Sequence, residues 1–225
     1  MIYLFDELED FSEDTMRKAI IIMPKSRIEK INKFKNIIDR KTCCIGYLLL
    51  AMGLYNEYGI DANVNLIYGQ FGKPKIYGRS DIEFNISHTR TGVICGLSNK
   101  PIGVDIQEFV KYEESFATYF CSKKEIKILK ESKLKKTQLM TKFWCVKEAY
   151  LKLKGVGIVN DMNEYDYETV KKKNNVFLSI IEKEKYAIAI CKEESNLKIT
   201  KVLLLNLEEF IEKRISNVNN KTKCF

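Results

Sequence analysis

The sequence has no long hydrophobic run, few prolines and a single histidine. Its longest apolar stretch, residues 45–54, is about half as long as the roughly 20 residues that a membrane-spanning helix needs. Three prolines are too few for a linker-rich or disordered chain. The opening residues MIYLFDELED turn acidic where a secretion signal would be basic and then apolar. These features argue against a membrane span and predict a folded cytoplasmic protein.

Cysteine pairs at metal-binding or redox spacing are also missing. The seven cysteines are odd in number and scattered, and no two of them form a C-x-x-C motif. This pattern indicates neither a disulfide framework nor a zinc site. We therefore predict reduced packing residues at Cys43, Cys44, Cys95, Cys121, Cys145, Cys191 and Cys224.

The charge is strongly positive, with 38 basic and 30 acidic side chains and a formal net charge of +8. Such a surface attracts phosphates, nucleic acids, anionic lipids or acidic proteins. The lysines are dispersed along the chain, so an ordinary solvated basic surface is an equally simple explanation.

Hydrophobic periodicity predicts helices first and then short strands. Helical spacing runs from Pro24 to Phe34 and again over 41–58, where Gly59 ends the pattern. Residues 82–88 alternate with a period of two, as in a half-buried strand. Residues 93–97 and 102–106 are apolar and are separated by turn-forming residues, which predicts an antiparallel hairpin.

The second half of the chain repeats this order of helices followed by strands. Helical patterns cover 112–130 and 137–154, strands are predicted at 165–170, 176–181, 186–191 and 197–205, and Asn206 begins a last helix through Arg214. Helices followed by antiparallel strands, twice over, predict an α+β fold in two halves. We place the boundary near Pro101, giving halves of 1–101 and 102–225.

Two segments place chemically useful side chains together. On a strand, Asp105 and Gln107 point to one side while their apolar neighbours point to the core. On a helix, Glu148 and Lys152 are four residues apart and so are neighbours on one face. If Glu148 faces Asp105, the two carboxylates and the Gln107 amide form an all-oxygen site suited to Mg²⁺.

The motifs of these segments resemble those of the 4′-phosphopantetheinyl transferases of the broad-specificity, surfactin-synthetase-activating type. Residues 103–107 (GVDIQ) resemble the family's G-[IV]-D-[IV]-E strand, and residues 144–152 (WCVKEAYLK) resemble its W-[SC]-x-K-E-[AS]-x-x-K helix. Residues 155–158 (GVGI) resemble the glycine-rich tail that follows. The matches run from about Arg27 to Ile158 in the family's order.

The resemblance implies a fold of two similar halves with the active site in the cleft between them. It implies transfer of phosphopantetheine from coenzyme A to a serine hydroxyl of an apo acyl, peptidyl or aryl carrier protein, with release of 3′,5′-ADP. Asp105, Gln107 and Glu148 would bind Mg²⁺, with Mn²⁺ as the alternative ion. Gln107 departs from the family's usual acid at its position, which lowers the charge of the site by one.

The resemblance also implies further site residues. Glu148 and Lys152 would act in catalysis, and Glu125 matches the glutamate proposed as the base for the serine proton. The expected contacts to coenzyme A are Arg27, Lys30, Lys73, Ser87, His88, Asp105, Lys147 and Lys152. An acidic carrier protein suits the basic surface, and we expect a monomer with no nucleic-acid or membrane partner.

Structural explanations compete with each of these assignments. Ser122 and Glu125 form a capping-box pattern, and Glu148 with Lys152 would make an ordinary helical ion pair. His88 continues the inward face of its strand and would by default be a core histidine. Two other functions also stay open. They are a basic nucleic-acid-binding module and a degenerate coenzyme-A-binding scaffold without transferase activity.

Overall fold

A computed structural model describes residues 1–61, 63–157, 161–173 and 175–222, with side chains described as far as residue 217. It confirms the predicted α+β class. The α-helices are α1 (Glu13–Ile21), α2 (Lys25–Lys33), α3 (Ile37–Tyr58), α4 (Glu114–Phe120), α5 (Lys123–Glu131), α6 (Lys136–Lys154), α7 (Tyr167–Lys172) and α8 (Leu204–Thr222). A 3₁₀ turn covers Met162–Glu164. The strands are β1 (Ile2–Phe5), β2 (Leu66–Tyr68), β3 (Pro74–Ile76), β4 (Glu83–His88), β5 (Val93–Ser98), β6 (Ile102–Glu108), β7 (Phe177–Glu182), β8 (Tyr186–Lys192) and β9 (Ile199–Lys201).

Two sheets and two helices form four layers. The first sheet has the order β4-β5-β1-β9, and the second has the order β6-β8-β7. Apolar residues of β1 and β5 pack against those of β6 and β8, so the sheets lie face to face. Helix α3 packs on the outer side of the first sheet, and α6 packs on the outer side of the second. A separate hairpin, β2–β3, pairs only with itself within the described residues.

The alternation along β6 sets the orientation of the predicted site. Val104 and Ile106 are fully buried in the layer between the two sheets. Gly103, one residue before Val104, approaches α6 on the opposite side. Because side chains alternate along a strand, Asp105 and Gln107 lie on the α6 side with Gly103.

The last strand and helix return to the first half of the chain. Strand β9 pairs in parallel with β1, while the other strand pairs of the described residues are antiparallel. Val202, Leu207 and Ile211 join the core that surrounds α3. A boundary at residue 101 therefore stays a prediction, and the segment after residue 198 packs with the elements that precede that boundary.

Several element predictions were wrong. Strands β5 and β6 do not form a hairpin. Instead β5 pairs with β4 and β1, and β6 pairs with β8, because the turn at residues 98–101 carries the chain from one sheet to the other. The predicted helix over 112–130 is divided into α4 and α5 by Ser122, which caps α5.

The segment near Tyr165 was also mispredicted. A strand was expected over 165–170, but Asp166 accepts a hydrogen bond from the Thr169 amide and begins α7 there. The expected strand over 197–205 is shortened to β9, since α8 begins at Leu204 rather than at Asn206.

The predictions about membranes and cysteines can be compared directly with the structure. Among the described helices, none has the length and apolar character needed to cross a membrane. Six cysteines are free and buried, as expected of packing residues. The seventh, Cys224, lies outside the described residues.

Candidate active site

Asp105 lies at the centre of a buried cluster of polar side chains. Its side chain is fully buried, and its Oδ1 accepts hydrogen bonds from Ser87 Oγ at 2.7 Å and from Lys152 Nζ at 2.5 Å. Its Oδ2 accepts one from Gln107 Nε2 at 3.0 Å. The β4 strand, the β6 strand and the α6 helix thus converge on one carboxylate.

Helix α6 brings Glu148 to the same place. Glu148 Oε2 lies 3.9 Å from Lys152 Nζ, so this ammonium lies between two carboxylates from different elements. Burial raises the pKa of Glu148, and Asp105 adds to that effect while Lys152 opposes it. Burial disfavours the charged form of Lys152, but Asp105 and Glu148 outweigh it and raise the pKa of this residue.

Gly103 explains why the helix comes so close to the strand. A Cβ atom on Gly103 would overlap the Ala149 carbonyl oxygen and the Leu153 amide nitrogen, both backbone atoms of α6. Only glycine is compatible with this approach. The glycine of the motif therefore allows the close approach of β6 and α6, which carry Asp105 and Glu148.

The predicted metal ligands can be tested for their fit to a divalent ion. No three His, Cys, Asp or Glu side chains cluster as a metal site within the described part of the chain. The oxygen set here is smaller, with two carboxylates and the Gln107 amide. Glu148 Oε1 is buried and has no hydrogen-bond partner. An unpartnered carboxylate oxygen beside a second carboxylate fits a hard cation such as Mg²⁺.

A cleft of about 250 Å³ opens beside this cluster. Lys73, Glu148 and Lys152 line it together with Phe71 and the glycines that follow α6. Lys73 Nζ donates hydrogen bonds to the carbonyl oxygens of Ile102 and Leu153 at 3.2 and 3.5 Å. Burial lowers the pKa of Lys73, while Glu83, 3.8 Å away, opposes that shift.

His88 stands at the exposed end of β4. Its exposure contradicts the alternative of a core histidine. Partial desolvation by the surrounding protein lowers the pKa of His88, and the nearby charge of Lys152 adds to this effect. The neutral imidazole is therefore favoured near pH 7.

Arg27 and Lys30 lie on α2 beside another pocket of about 390 Å³, with Tyr47 and Tyr68 among its lining residues. The Arg27 guanidinium donates to the Cys43 carbonyl at 2.5 Å, and its Nε is buried without a partner. Lys30 Nζ lies over the Tyr68 ring, 4.9 Å from its centroid. Arg27 is thus mostly buried, which differs from the solvated basic face considered as the alternative.

Glu125 and Lys147 line neither of these two pockets and form a buried pair of their own. The Lys147 side chain is fully buried, that of Glu125 is 3% exposed, and Lys147 Nζ lies 2.9 Å from Glu125 Oε2. The predicted capping box is confirmed, with Ser122 Oγ accepting from the Glu125 amide and Glu125 Oε2 accepting from the Ser122 amide. In this structure neither side chain is accessible to a dissolved ligand.

Sequence reasoning missed two residues beside the site. Asn85 Oδ1 accepts a hydrogen bond from the Val104 amide at 2.8 Å and so joins the two sheets next to Asp105. The Cys145 thiol is buried at the base of the site, and burial together with the Asp105 charge raises its pKa. Asn85 is two residues before Ser87 in the sequence, and this proximity to a predicted site residue was the available signal.

The glycines after α6 have a conformational role. Gly155 ends the helix with a left-handed backbone, at φ 71°, which glycine adopts without the steric cost that other residues meet. Gly157 is also left-handed and lines the cleft. Ile158, the last residue of the matched tail, lies outside the described residues.

Comparison with known proteins agrees with this geometry. Residues 101–211 match the family model described as the 4′-phosphopantetheinyl transferase superfamily. A 4′-phosphopantetheinyl transferase of Bacillus subtilis is 28% identical over 181 residues, which cover 80% of this chain and 78% of the relative.

Two further relatives carry the same description. The 4′-phosphopantetheinyl transferase Sfp of Bacillus subtilis strain 168 is 30% identical over 148 residues, covering 65% of this chain and 66% of the relative. The 4′-phosphopantetheinyl transferase gsp of Aneurinibacillus migulanus is 29% identical over 214 residues, covering 87% of this chain and 89% of the relative. The chain thus belongs to the 4′-phosphopantetheinyl transferase superfamily and is an Sfp-like member of that enzyme class.

Proposed function

We propose that this enzyme transfers 4′-phosphopantetheine from coenzyme A to a serine hydroxyl of an apo carrier protein in an Mg²⁺-dependent reaction. The observation that supports this most directly is the convergence of Asp105 and Glu148, from a strand and a helix 43 residues apart in sequence, around the Lys152 ammonium. This arrangement suits a diphosphate substrate with a divalent ion.

Side chains of this enzyme would bind the Mg²⁺ ion directly. Asp105 and Glu148 would hold it through their carboxylates, and Gln107 would be a weaker third ligand through its amide oxygen. When bound, Mg²⁺ supplies neutralisation of the charge that develops on the diphosphate oxygens. Mn²⁺ would serve as the alternative ion, because it also accepts oxygen ligands.

The other residues would bind and orient coenzyme A. Lys73 and Lys152 flank the cleft and would bind the diphosphate, with Ser87 and His88 beside them. Arg27 and Lys30 would bind the nucleotide end. These contacts would hold the phosphorus in line with the incoming serine oxygen, and that alignment is the main requirement of phosphoryl transfer.

The bond changes define the products. The serine Oγ would form a bond to the phosphorus that carries pantetheine, and the bond from this phosphorus to the leaving 3′,5′-ADP would break. Lys152 would stabilise the charge on the leaving phosphate. The serine proton would pass to a water molecule or to Glu125, the acceptor that the resemblance suggests, which is buried beside α6.

The carrier protein would approach a basic surface. Helix α5 carries four lysines in its nine residues, and the whole chain has a formal charge of +8. An acidic carrier would be steered toward this charge, and its association should weaken as salt increases. The cytoplasmic location, the monomeric state and the lack of nucleic-acid or membrane partners belong to the same proposal.

Intact-mass analysis of apo carrier proteins tests this function. Acyl and peptidyl carriers would be incubated with the enzyme, coenzyme A and Mg²⁺, and with EDTA in a matched control. A phosphopantetheine-sized gain that needs the metal supports the proposal. Coenzyme A binding without a mass gain on any carrier would contradict it and favour a degenerate scaffold. Retention on nucleic acid at physiological salt without carrier modification would favour the basic binding module.

A further inference from the structure

We infer that Glu125 is a positioning residue rather than the base, and that it acts through a buried ion pair with Lys147, called here the Glu125–Lys147 clamp. The clamp would fix helix α6 so that Glu148 faces Asp105. This inference rests on the proposed function, because it concerns how the site of that reaction is held.

Both carboxylate oxygens of Glu125 already contact donors of the protein. Oε2 accepts from the Ser122 amide at 2.9 Å and lies 2.9 Å from Lys147 Nζ. Oε1 accepts from the Tyr167 amide at 3.1 Å. A general base must come within hydrogen-bond reach of the proton that it removes, which a buried carboxylate held by protein donors does not do. Here the residue is 2% exposed, and three donors of the protein already bind its carboxylate.

The same contacts make Glu125 a junction between elements. The Ser122 amide is at the start of α5, the Tyr167 amide is at the start of α7, and Lys147 is in the middle of α6. Amide groups at helix N-termini carry partial positive charge that favours a carboxylate. Lys147 Nζ also donates to the Met162 carbonyl at 3.1 Å, which adds the 3₁₀ turn to the junction.

The neighbouring position of Glu148 connects this junction to the site. Phe143 and Leu151, four residues before and after Lys147, pack in the cluster formed with α4 and α5. Successive residues of an α-helix point about 100° apart. When Lys147 is held toward α5, Glu148 is therefore directed toward a different side of the helix, where Asp105 and Lys152 lie.

The decisive experiment is the double variant Glu125→Gln/Lys147→Met. It removes both charges and keeps similar side-chain volumes, and replacing both partners of a buried ion pair by neutral groups is often nearly neutral for stability. If Glu125 only positions α6, the neutral Gln and Met side chains can still pack and hydrogen-bond in its place. This variant should then transfer phosphopantetheine with kcat within about tenfold of the wild type and outperform Glu125→Gln alone. Either single variant leaves one buried charge unpaired, so each should lose about 10–100-fold in kcat and in Mn²⁺ affinity, measured by electron paramagnetic resonance.

A base role makes different predictions for the same protein. The double variant would then be as inactive as Glu125→Gln while still binding Mn²⁺ normally. The acidic limb in the pH dependence of kcat/KM would also be lost in the double variant, because that limb reports the pKa of the essential base. Either result would overturn the inference. If both single variants fail to fold, the kcat, the Mn²⁺ affinity and the pH profile of the double variant relative to the wild type still distinguish the two roles.

The matched control is another ion pair of α6. Lys142 Nζ lies 2.8 Å from Glu182 Oε2, but both side chains are partly exposed. The variant Lys142→Met/Glu182→Gln should leave kcat and Mn²⁺ affinity unchanged. Failure of the proposed function itself would be recognised separately, since the wild-type enzyme would then transfer nothing to any carrier.

Discussion

At the scale of single residues, the site depends on side chains whose ordinary properties are altered by burial. Alternation along β6 and the four-residue spacing on α6 were enough to predict that Asp105 and Gln107 share a face and that Glu148 and Lys152 are neighbours. The sequence could not show that Lys152 would contact Asp105 more closely than Glu148, because that contact depends on how α6 packs against β6. The exposure of His88 could not be predicted either, because alternation along β4 gives the face of a side chain but not what covers that face at the end of the strand.

Asp105 provides the most direct test of the site. We expect Asp105→Asn to lower kcat by about 10²-fold or more, because it removes a charge at the point where the reaction develops charge. A carrier-modification assay measures this, with circular dichroism as the check on folding. The control is Asp81→Asn, which changes an exposed carboxylate paired with Arg79. Substantial activity in Asp105→Asn would refute the metal assignment.

Gln107→Glu tests the departure from the family motif. The amide now donates to Asp105 Oδ2, whereas a glutamate would place a third carboxylate beside Asp105 and Glu148. In EDTA we expect a loss of roughly 1 kcal/mol of stability, or about 2–4 °C in Tm. Mg²⁺ should restore it and support activity equal to or above the wild type. Complete inactivity with Mg²⁺ would contradict a ligand role for this position.

The raised pKa of Glu148 predicts a pH-dependent effect on stability. Burial raises the pKa of this carboxyl in the folded state above its value in the unfolded chain. The contribution of this group to folding stability is therefore fully present below the unfolded pKa and is lost as pH rises through the folded pKa. In EDTA, Glu148→Gln should therefore be more stable than the wild type at neutral pH, with the difference shrinking in acid. Urea unfolding at several pH values measures it. A difference that grew in acid would contradict the burial argument.

At the scale of elements, the packing of helices against strands sets the geometry of the site more than the sequence motifs do. The two long helices α3 and α6 and the strands β4 to β6 were predicted close to their observed positions. The division of α4 from α5 was not, because Ser122 is a helix start that interrupts a continuous apolar pattern. The false hairpin of β5 and β6 arose because a turn signal does not reveal which sheet the next strand joins.

Gly103→Ala tests the closest of these contacts. The added methyl group would overlap backbone atoms of α6, so the helix and β6 must separate. We expect about 1–3 kcal/mol of destabilisation and a lower kcat, because Glu148 moves away from Asp105. Thermal unfolding and the carrier assay measure the two effects. Gly69→Ala is the control, since its new Cβ would meet only the Lys73 carbonyl at 3.8 Å. Equal stability and equal kcat in Gly103→Ala and Gly69→Ala would refute the role of Gly103 in holding β6 close to α6.

At the scale of the whole molecule, the chain passes from the first sheet to the second and then returns to the first. Strand β9 pairs with β1, and α8 packs on the core around α3. The order of helices and strands predicted two halves, but single-sequence periodicity carries no information about a terminal strand that returns to a distant sheet.

Separating the chain at residue 101 tests this arrangement. We expect residues 102–225 alone to fail to fold, because β9 loses β1 and the apolar face of β6 loses the first sheet. Circular dichroism and gel filtration would show an unfolded or aggregated fragment. Coexpression with residues 1–101 should restore a folded pair. Cooperative unfolding by the isolated fragment would instead support two autonomous domains.

The ammonium of Lys152 between Asp105 and Glu148 has a consequence for the order of binding. These three side chains together carry a single net negative charge, which disfavours a bare diphosphate beside them even though Lys73 lines the same cleft. An ion entering alone would have to compete with Lys152 for the same oxygens. Nucleotide and ion are therefore expected to enter as one complex, in which each cancels the charge that would keep the other out.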